Sequence, residues 1–215
     1  MSVNVINVTT AGSVIFENDV FTGGITPIAY GGTNASSFTS SANGIVVYNG
    51  TSLINHVGPQ VTSDGYLKNN KQPAFFAQSN VNFSNISGDG SAYTLAFNST
   101  LFNHSSSFNT TTHTFTAPIA GTYSFYVVCD RINKGTSTSE VLYIECTRPT
   151  LGDINFHSNS DMTNTSFSLQ LSCLVTLDTA DTVKAVYYAF GGAKDINLIN
   201  STISPSTYFQ GNYLG

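Results

Sequence analysis

Residues able to do chemistry are few in this chain, and they are scattered. Four histidines, His56, His104, His113 and His157, have no second histidine at i+4 and no cysteine beside them, so a zinc site is not expected. Glu140 and Glu145 lie five apart in a β pattern, which turns them to opposite faces, and Asp178 and Asp181 flank a turn. No serine sits in a G-x-S-x-G elbow, and no glycine-rich loop opens onto a helix. Nothing among the 12 acidic residues marks a carboxylate pair for glycosidase work. Asp89, Asp153 and Asp161 fall in loops and could hold calcium, with solvation and Asx-turn bonding as the competing roles. Cys129, Cys146 and Cys173 lie inside apolar β-type runs without C-x-x-C spacing, which reads as buried free thiols in a reducing compartment. The expectation is a protein without enzymatic activity and without a cofactor.

Recognition by polar loops is the chemistry that remains. The stretch Asn103–Thr112 offers Asn103, His104, Ser106, Phe108 and Asn109, and His157–Thr165 offers His157, Asn159, Asp161 and Asn164. Amides, hydroxyls and rings of this kind give adaptable hydrogen bonding and flat surfaces for a receptor, a glycan included. Ordinary solvated loops are the competing reading. Ten N-x-S/T sequons occur, against about five or six expected from composition, and read as polar strand-and-turn content rather than glycan acceptors.

These residues need a scaffold, and composition says which kind. Of 215 residues 9% are charged, three are Glu and none is Trp, while Ser and Thr number 54 and Asn 22. Strong helix formers are scarce and β-branched residues abundant, which disfavours a helical bundle. A 40% hydrophobic content supports a core. Seven basic residues and a net charge of −5 supply no patch for nucleic acid. No apolar run reaches the length of a membrane span, so no membrane insertion is expected, and Met1–Thr10 carries no signal-like pattern.

Two regions differ in texture. Before residue 71 the text is Gly-Thr and Asn-Gly punctuation around short apolar bits such as Ile45-Val46-Val47-Tyr48. Such pieces gain stability by pooling apolar faces among copies, with a flexible linker as the alternative. From residue 71 longer strands appear. Ser166–Leu177 alternates six apolar positions with mostly polar ones. Further strands are expected over 73–79, 92–98, 113–117, 121–130, 140–147, 154–157, 182–190 and 207–214. Eight or more short strands without a helix read as a two-sheet sandwich or a jelly roll. Two strands are apolar on both faces. Tyr126 and Val128 oppose the core side of 121–130, and Val186, Tyr188 and Phe190 oppose that of 182–190. These five are candidate subunit-interface residues, with cover by a loop or by the chain's own shaft as the alternative.

The run from Phe115 to Phe125, Phe-Thr-Ala-Pro-Ile-Ala-Gly-Thr-Tyr-Ser-Phe, resembles the signature of the complement C1q globular-head family, related to tumour necrosis factor. Pro73-Ala74-Phe75, Leu177–Val183 and Phe209-Gln210-Gly211 are similar to its opening strand, later turn and closing segment. The resemblance, over about 72–215, implies a ten-stranded jelly roll that assembles as a trimer. Ala180 stands where the family has Gly, and Asn212 where it has a large apolar residue. Residues 23–66 resemble shaft repeats of bacteriophage fibres and viral spikes. The expectation is therefore an all-β viral, most plausibly phage, fibre located in the virion. Residues 1–22 would attach to other virion proteins, 23–70 form an intertwined β shaft, and 71–215 form a jelly-roll head that meets a host receptor or glycan. A capsid- or tail-bound decoration protein without adhesive role is the alternative, and a polysaccharide depolymerase a third.

Overall fold

The computed structural model describes residues 44–48, 51, 53–69, 71–199 and 206–215. The chain divides into two compact units, Met1–Lys68 and Asn69–Gly215. In the first, β1 (Gly44–Tyr48), β2 (Leu53–Val61) and β3 (Leu67–Asn69) form a three-stranded sheet, β1 antiparallel to β2. The expected attachment segment 1–22 and residues 23–43 of the expected shaft lie outside the described residues. Where the shaft region is described, its strands pair within one chain, so an intertwined arrangement is not shown.

The second unit is an all-β sandwich of jelly-roll type. Its strands are β4 (Ala74–Gln78), β5 (Tyr93–Thr94), β6 (Ser99–His104), β7 (Phe108–Asn109), β8 (Thr114–Thr116), β9 (Gly121–Asn133), β10 (Ser139–Thr147), β11 (Ile154–Asp161), β12 (Phe167–Leu177), β13 (Thr182–Phe190), β14 (Asn197–Leu198) and β15 (Tyr208–Tyr213). One sheet runs β11-β10-β13-β8-β7, with β5 also on β13. The other runs β12-β9-β15-β4-β6, with β14 also on β9. Period-two alternation forms these strands. In β9, Tyr123, Phe125, Val127 and Cys129 are buried, and in β12 Leu169, Cys173, Val175 and Leu177 meet them from the same sheet.

Aromatic rings bridge the two sheets. Phe75 stacks on Phe108 at 4.8 Å and on Phe115 at 5.4 Å between centroids, and meets the edge of Phe209 at 5.1 Å. Contacts of this kind add to the area buried by each ring. Phe108, expected on a receptor-facing loop, therefore belongs to the core, because β7 turns its ring inward. Of the loop expected at Asn103–Thr112, residues 103–104 and 108–109 lie in strands and the rest is turn. Ser99–His104 is an edge strand whose Ser-Thr-Leu-Phe-Asn-His text shows no alternation.

The signature run makes a corner. Pro118–Ala120 are exposed, Gly121 adopts φ 148°, and the Tyr123 hydroxyl donates back to Ile119 O at 2.7 Å. Ala180 takes the left-handed φ of 74° that glycine would tolerate freely, while its N–H bonds Ala117 O at 2.8 Å. Asn212 is exposed, so the last strand packs instead through Phe209 and Gly211.

Candidate interaction surface

The outward positions of the β12-β9-β15-β4-β6 sheet form cross-strand rows. The central row reads Phe102, Phe76, Gln210, Tyr126, Ser172. On one side lie His104, Ala74, Asn212, Ser124 and Leu174, and on the other Gln78, Tyr208, Val128 and Gln170. None is Asp, Glu, Lys or Arg. A path of rings crosses the strands: Phe102 to Phe76 at 6.4 Å, Phe76 stacked on Tyr208 at 4.9 Å, and Tyr208 to Tyr126 at 5.9 Å. The Tyr126 hydroxyl donates to Gln170 Oε1 at 2.7 Å. Burial by its neighbours pushes the Tyr208 phenol pKa up, with Tyr126 beside it adding to the shift. Phe102 is 42% and Leu174 64% exposed, so the face leaves apolar area uncovered. Gln78 is buried among these residues, yet its Oε1 has no hydrogen-bond partner.

The opposite sheet presents a more polar outer face. Tyr143 lies 5.5 Å from the His157 ring and 5.3 Å from Tyr188, and Tyr188 runs parallel to Phe190. Asn159 and Asp161 project beside them from the edge strand β11. Lys184 and Glu145 pair at 3.2 Å. Desolvation, reinforced by Glu145, raises the pKa of Tyr188.

The nine receptor candidates do not form one site. β6 and β7 close one side of the sandwich, whereas β11 and β12 close the other. Asn103 is held by a reciprocal pair of bonds with the Phe108 backbone, at 2.8 and 3.0 Å. His104 is half-buried, and Ser106 and Asn109 are exposed. His157, Asn159 and Asp161 share the outer face of β11, and Asn164 follows in an exposed loop. Of the five trimer candidates, Tyr126 and Val128 fall on the uncharged face. Val186, Tyr188 and Phe190 fall on the other sheet. Val128 and Val186 are already buried by their own chain, which leaves them little area to give a partner.

Sequence reasoning missed the polar centre of the core. The Arg131 Nε donates to Glu140 Oε2 at 2.9 Å, its Nη2 donates to Oε1 at 3.1 Å, and the Tyr187 hydroxyl donates to Oε2 at 2.6 Å. Arg131 Nη1 also donates to the carbonyls of Asn164, at 2.8 Å, and Thr165. The signal was present, since Arg131 continues the inward positions 123 to 129 and Glu140 begins the inward positions 140 to 146. The thiols are buried, and desolvation pushes Cys146 and Cys173 up to about 12. The calcium candidates stand apart. Asp89 accepts from Ser91 N and Oγ, Asp153 accepts from Arg148 N, and Asp161 lies exposed on β11. Among the described residues no group of three or more His, Cys, Asp and Glu could hold a metal ion.

The family model of the C1q domain matches residues 74–211. The chain belongs to the C1q-domain family. No curated protein matches the sequence. Solved structures similar to the chain include Eiger TNF from S. frugiperda, at 12% identity and TM-score 0.49 over 67% of this chain and 94% of that one. Murine APRIL at pH 8.5 is similar at 10% identity and TM-score 0.50, over 67% of this chain and all of the other. Another structure of murine APRIL, at pH 5.0, is similar at 11% identity and TM-score 0.49 over the same shares. At such identity the likeness concerns the fold alone. The expectation of a viral fibre resident in a virion is corrected here, because these similar structures come from an insect and a mouse and none is a viral or phage fibre.

Proposed function

We propose that this C1q-domain chain is a homotrimeric recognition module. Copies meet through the outer face of the β12-β9-β15-β4-β6 sheet, and a receptor engages surface left outside that contact. The observation that carries the reading is a face three rows deep with a continuous path of rings and no formal charge. Its extent gives a second argument. Five strands about 4.8 Å apart, each contributing about 17 Å of length, present roughly 400 Å², about half of a stable interface's share per partner. A closed ring supplies the remainder, because each copy then buries this face and a different surface of itself.

The polar outer face of β10, β11 and β13 is the proposed receptor side, with His157, Asn159 and Asp161 beside Tyr143 and Tyr188. Three copies would multiply a weak single-site affinity through avidity. The division into a stem over 23–70 and a head over 71–215 belongs to the same proposal. Light scattering on the purified full chain tests it. The expected mass is that of three copies, falling to one copy for Tyr126→Glu. A single-copy wild type at micromolar concentration would overturn the reading.

A further inference from the structure

Where the ring-paved rows stop, β9 and β12 end in a recess of about 320 Å³. Asp130, Ile132, Ser166, Ser168 and Ile199 line it, together with Arg131 and Phe167. Period two sorts these residues. Asp130 and Ile132 share the outward side of β9 with Tyr126 and Val128, and Ser168 is the cross-strand partner of Asp130. Arg131 and Phe167, themselves a cross-strand pair, belong to the other side, where the guanidinium meets Glu140. Ile199 closes the recess opposite β12, its N–H bonded to Asp130 O at 2.9 Å. We propose that this recess takes an arginine side chain of a partner polypeptide. The inference does not depend on the trimer reading.

Charge sets the sign of the occupant. All seven basic side chains of the sequence lie among the described residues, and the ion pairs they form use Glu140 and Glu145. Asp130 pairs with none of them, and its carboxylate accepts no hydrogen bond among the described residues. Arg131 beside it is already neutralised by Glu140. The recess therefore keeps one formal negative charge, in a chain of net charge −5, and its complement is a cation.

The lining selects the kind of cation. Ile132, 39% exposed, and the half-buried Ile199 are apolar walls, against which a long basic side chain lays its stem while its head stays among polar groups. The acid end offers the two Asp130 oxygens and the hydroxyls of Ser166 and Ser168. A guanidinium matches this set, because its planar fork of five donors meets a carboxylate bidentately and still has N–H groups for the serines, whereas an ammonium has three donors and no fork. Copies of this chain cannot supply it. The sequence has two arginines. Arg131 is buried on Glu140, and Arg148 donates through Nε to Gly152 O and through Nη1 to Thr176 O. The arginine has to come from a different protein.

Saturation-transfer NMR on the full chain tests this, with the capped peptide acetyl-Gly-Arg-Gly-amide as probe. Binding of about millimolar affinity is expected, weakening as salt is raised. The lysine peptide should bind several-fold more weakly, and the citrulline peptide, which keeps the shape without the charge, should show no transfer. Asp130→Asn is expected to weaken the arginine peptide by about tenfold or more, with an unchanged circular dichroism spectrum. Ile132→Lys, at an exposed position and setting the chain's own cation beside Asp130, repeats the test should the first variant fail to fold. No transfer to the arginine peptide, equal transfer to the citrulline or lysine peptide, or an Asp130→Asn protein that binds as wild type does would overturn the inference. So would a changed mass of Asp130→Asn in light scattering, which would assign the recess to a contact between copies. The trimer reading is judged separately, by the mass of the wild type.

Discussion

Ala180 holds a conformation that its own Cβ opposes, with φ 74° at a position where a left-handed residue costs about 1–2 kcal/mol. Ala180→Gly is therefore expected to raise stability by up to about 1 kcal/mol, glycine's greater unfolded freedom offsetting part of the gain. A urea-unfolding midpoint would register it. Gly211 presents the reverse case. An added Cβ would lie 2.6 Å from the Phe125 ring and 2.7 Å from the Phe75 ring, so Gly211→Ala should destabilise by about 1–3 kcal/mol through overpacking, read from the same unfolding curve. The departure at Ala180 was legible from the Leu177–Val183 text alone. The demand at Gly211 was not, since crowding against Phe125 and Phe75 exists only once three strands are side by side. Titration adds a third expectation. With Cys146 and Cys173 pushed up to about 12, the folded state keeps protons that the unfolded chain releases above its thiol value of about 8.5. Stability should be full below that pH and decline as pH climbs towards 12, and Cys146→Val should soften the decline in a pH series of denaturation midpoints.

Strands carried most of what the sequence made readable. The alternation in 166–177 located β12 because one of its faces is dry, and dryness is what imposes period two, whereas 121–130 and 182–190 were readable as apolar runs bounded by turn residues. Ser99–His104 escaped because it is an edge strand buried deeply on neither side, so no period is written into it. Phe75-Phe76 was a sign passed over: consecutive rings in a strand must point to both faces, and Phe76 is the one that helps pave the outer surface. Between β9 and β10 the ion pair of Arg131 and Glu140, each 1% exposed in its side chain, is an element-scale clamp. Arg131→Met should cost about 3–5 kcal/mol by leaving Glu140 buried without its partner. Replacing both members with apolar residues of similar size should recover much of that loss. A double-mutant cycle in chemical denaturation separates the two outcomes.

Among the described residues, three rows of one sheet's outer face carry rings and no formal charge, with Asp130 on the next row of β9. If the proposed contact holds, a carboxylate set into that face, as in Tyr126→Glu, separates the copies without unfolding them, because Tyr126 lies outside the core. The receptor candidates were less readable at this scale. Residues near in sequence, such as His104 and Phe108, went to different sheets, and the two groups ended at opposite sides of the sandwich. Topology made that assignment, and no local text could. Arg131 has one more consequence here. It grips the main-chain oxygens of Asn164 and Thr165, and those two side chains stay in water. The exposed part of the connection between β11 and β12, after the buried Met162, is thus anchored by atoms every amino acid possesses, so the side chains of Asn164 and Thr165 can be exchanged by evolution or by an engineer while the backbone path stays put.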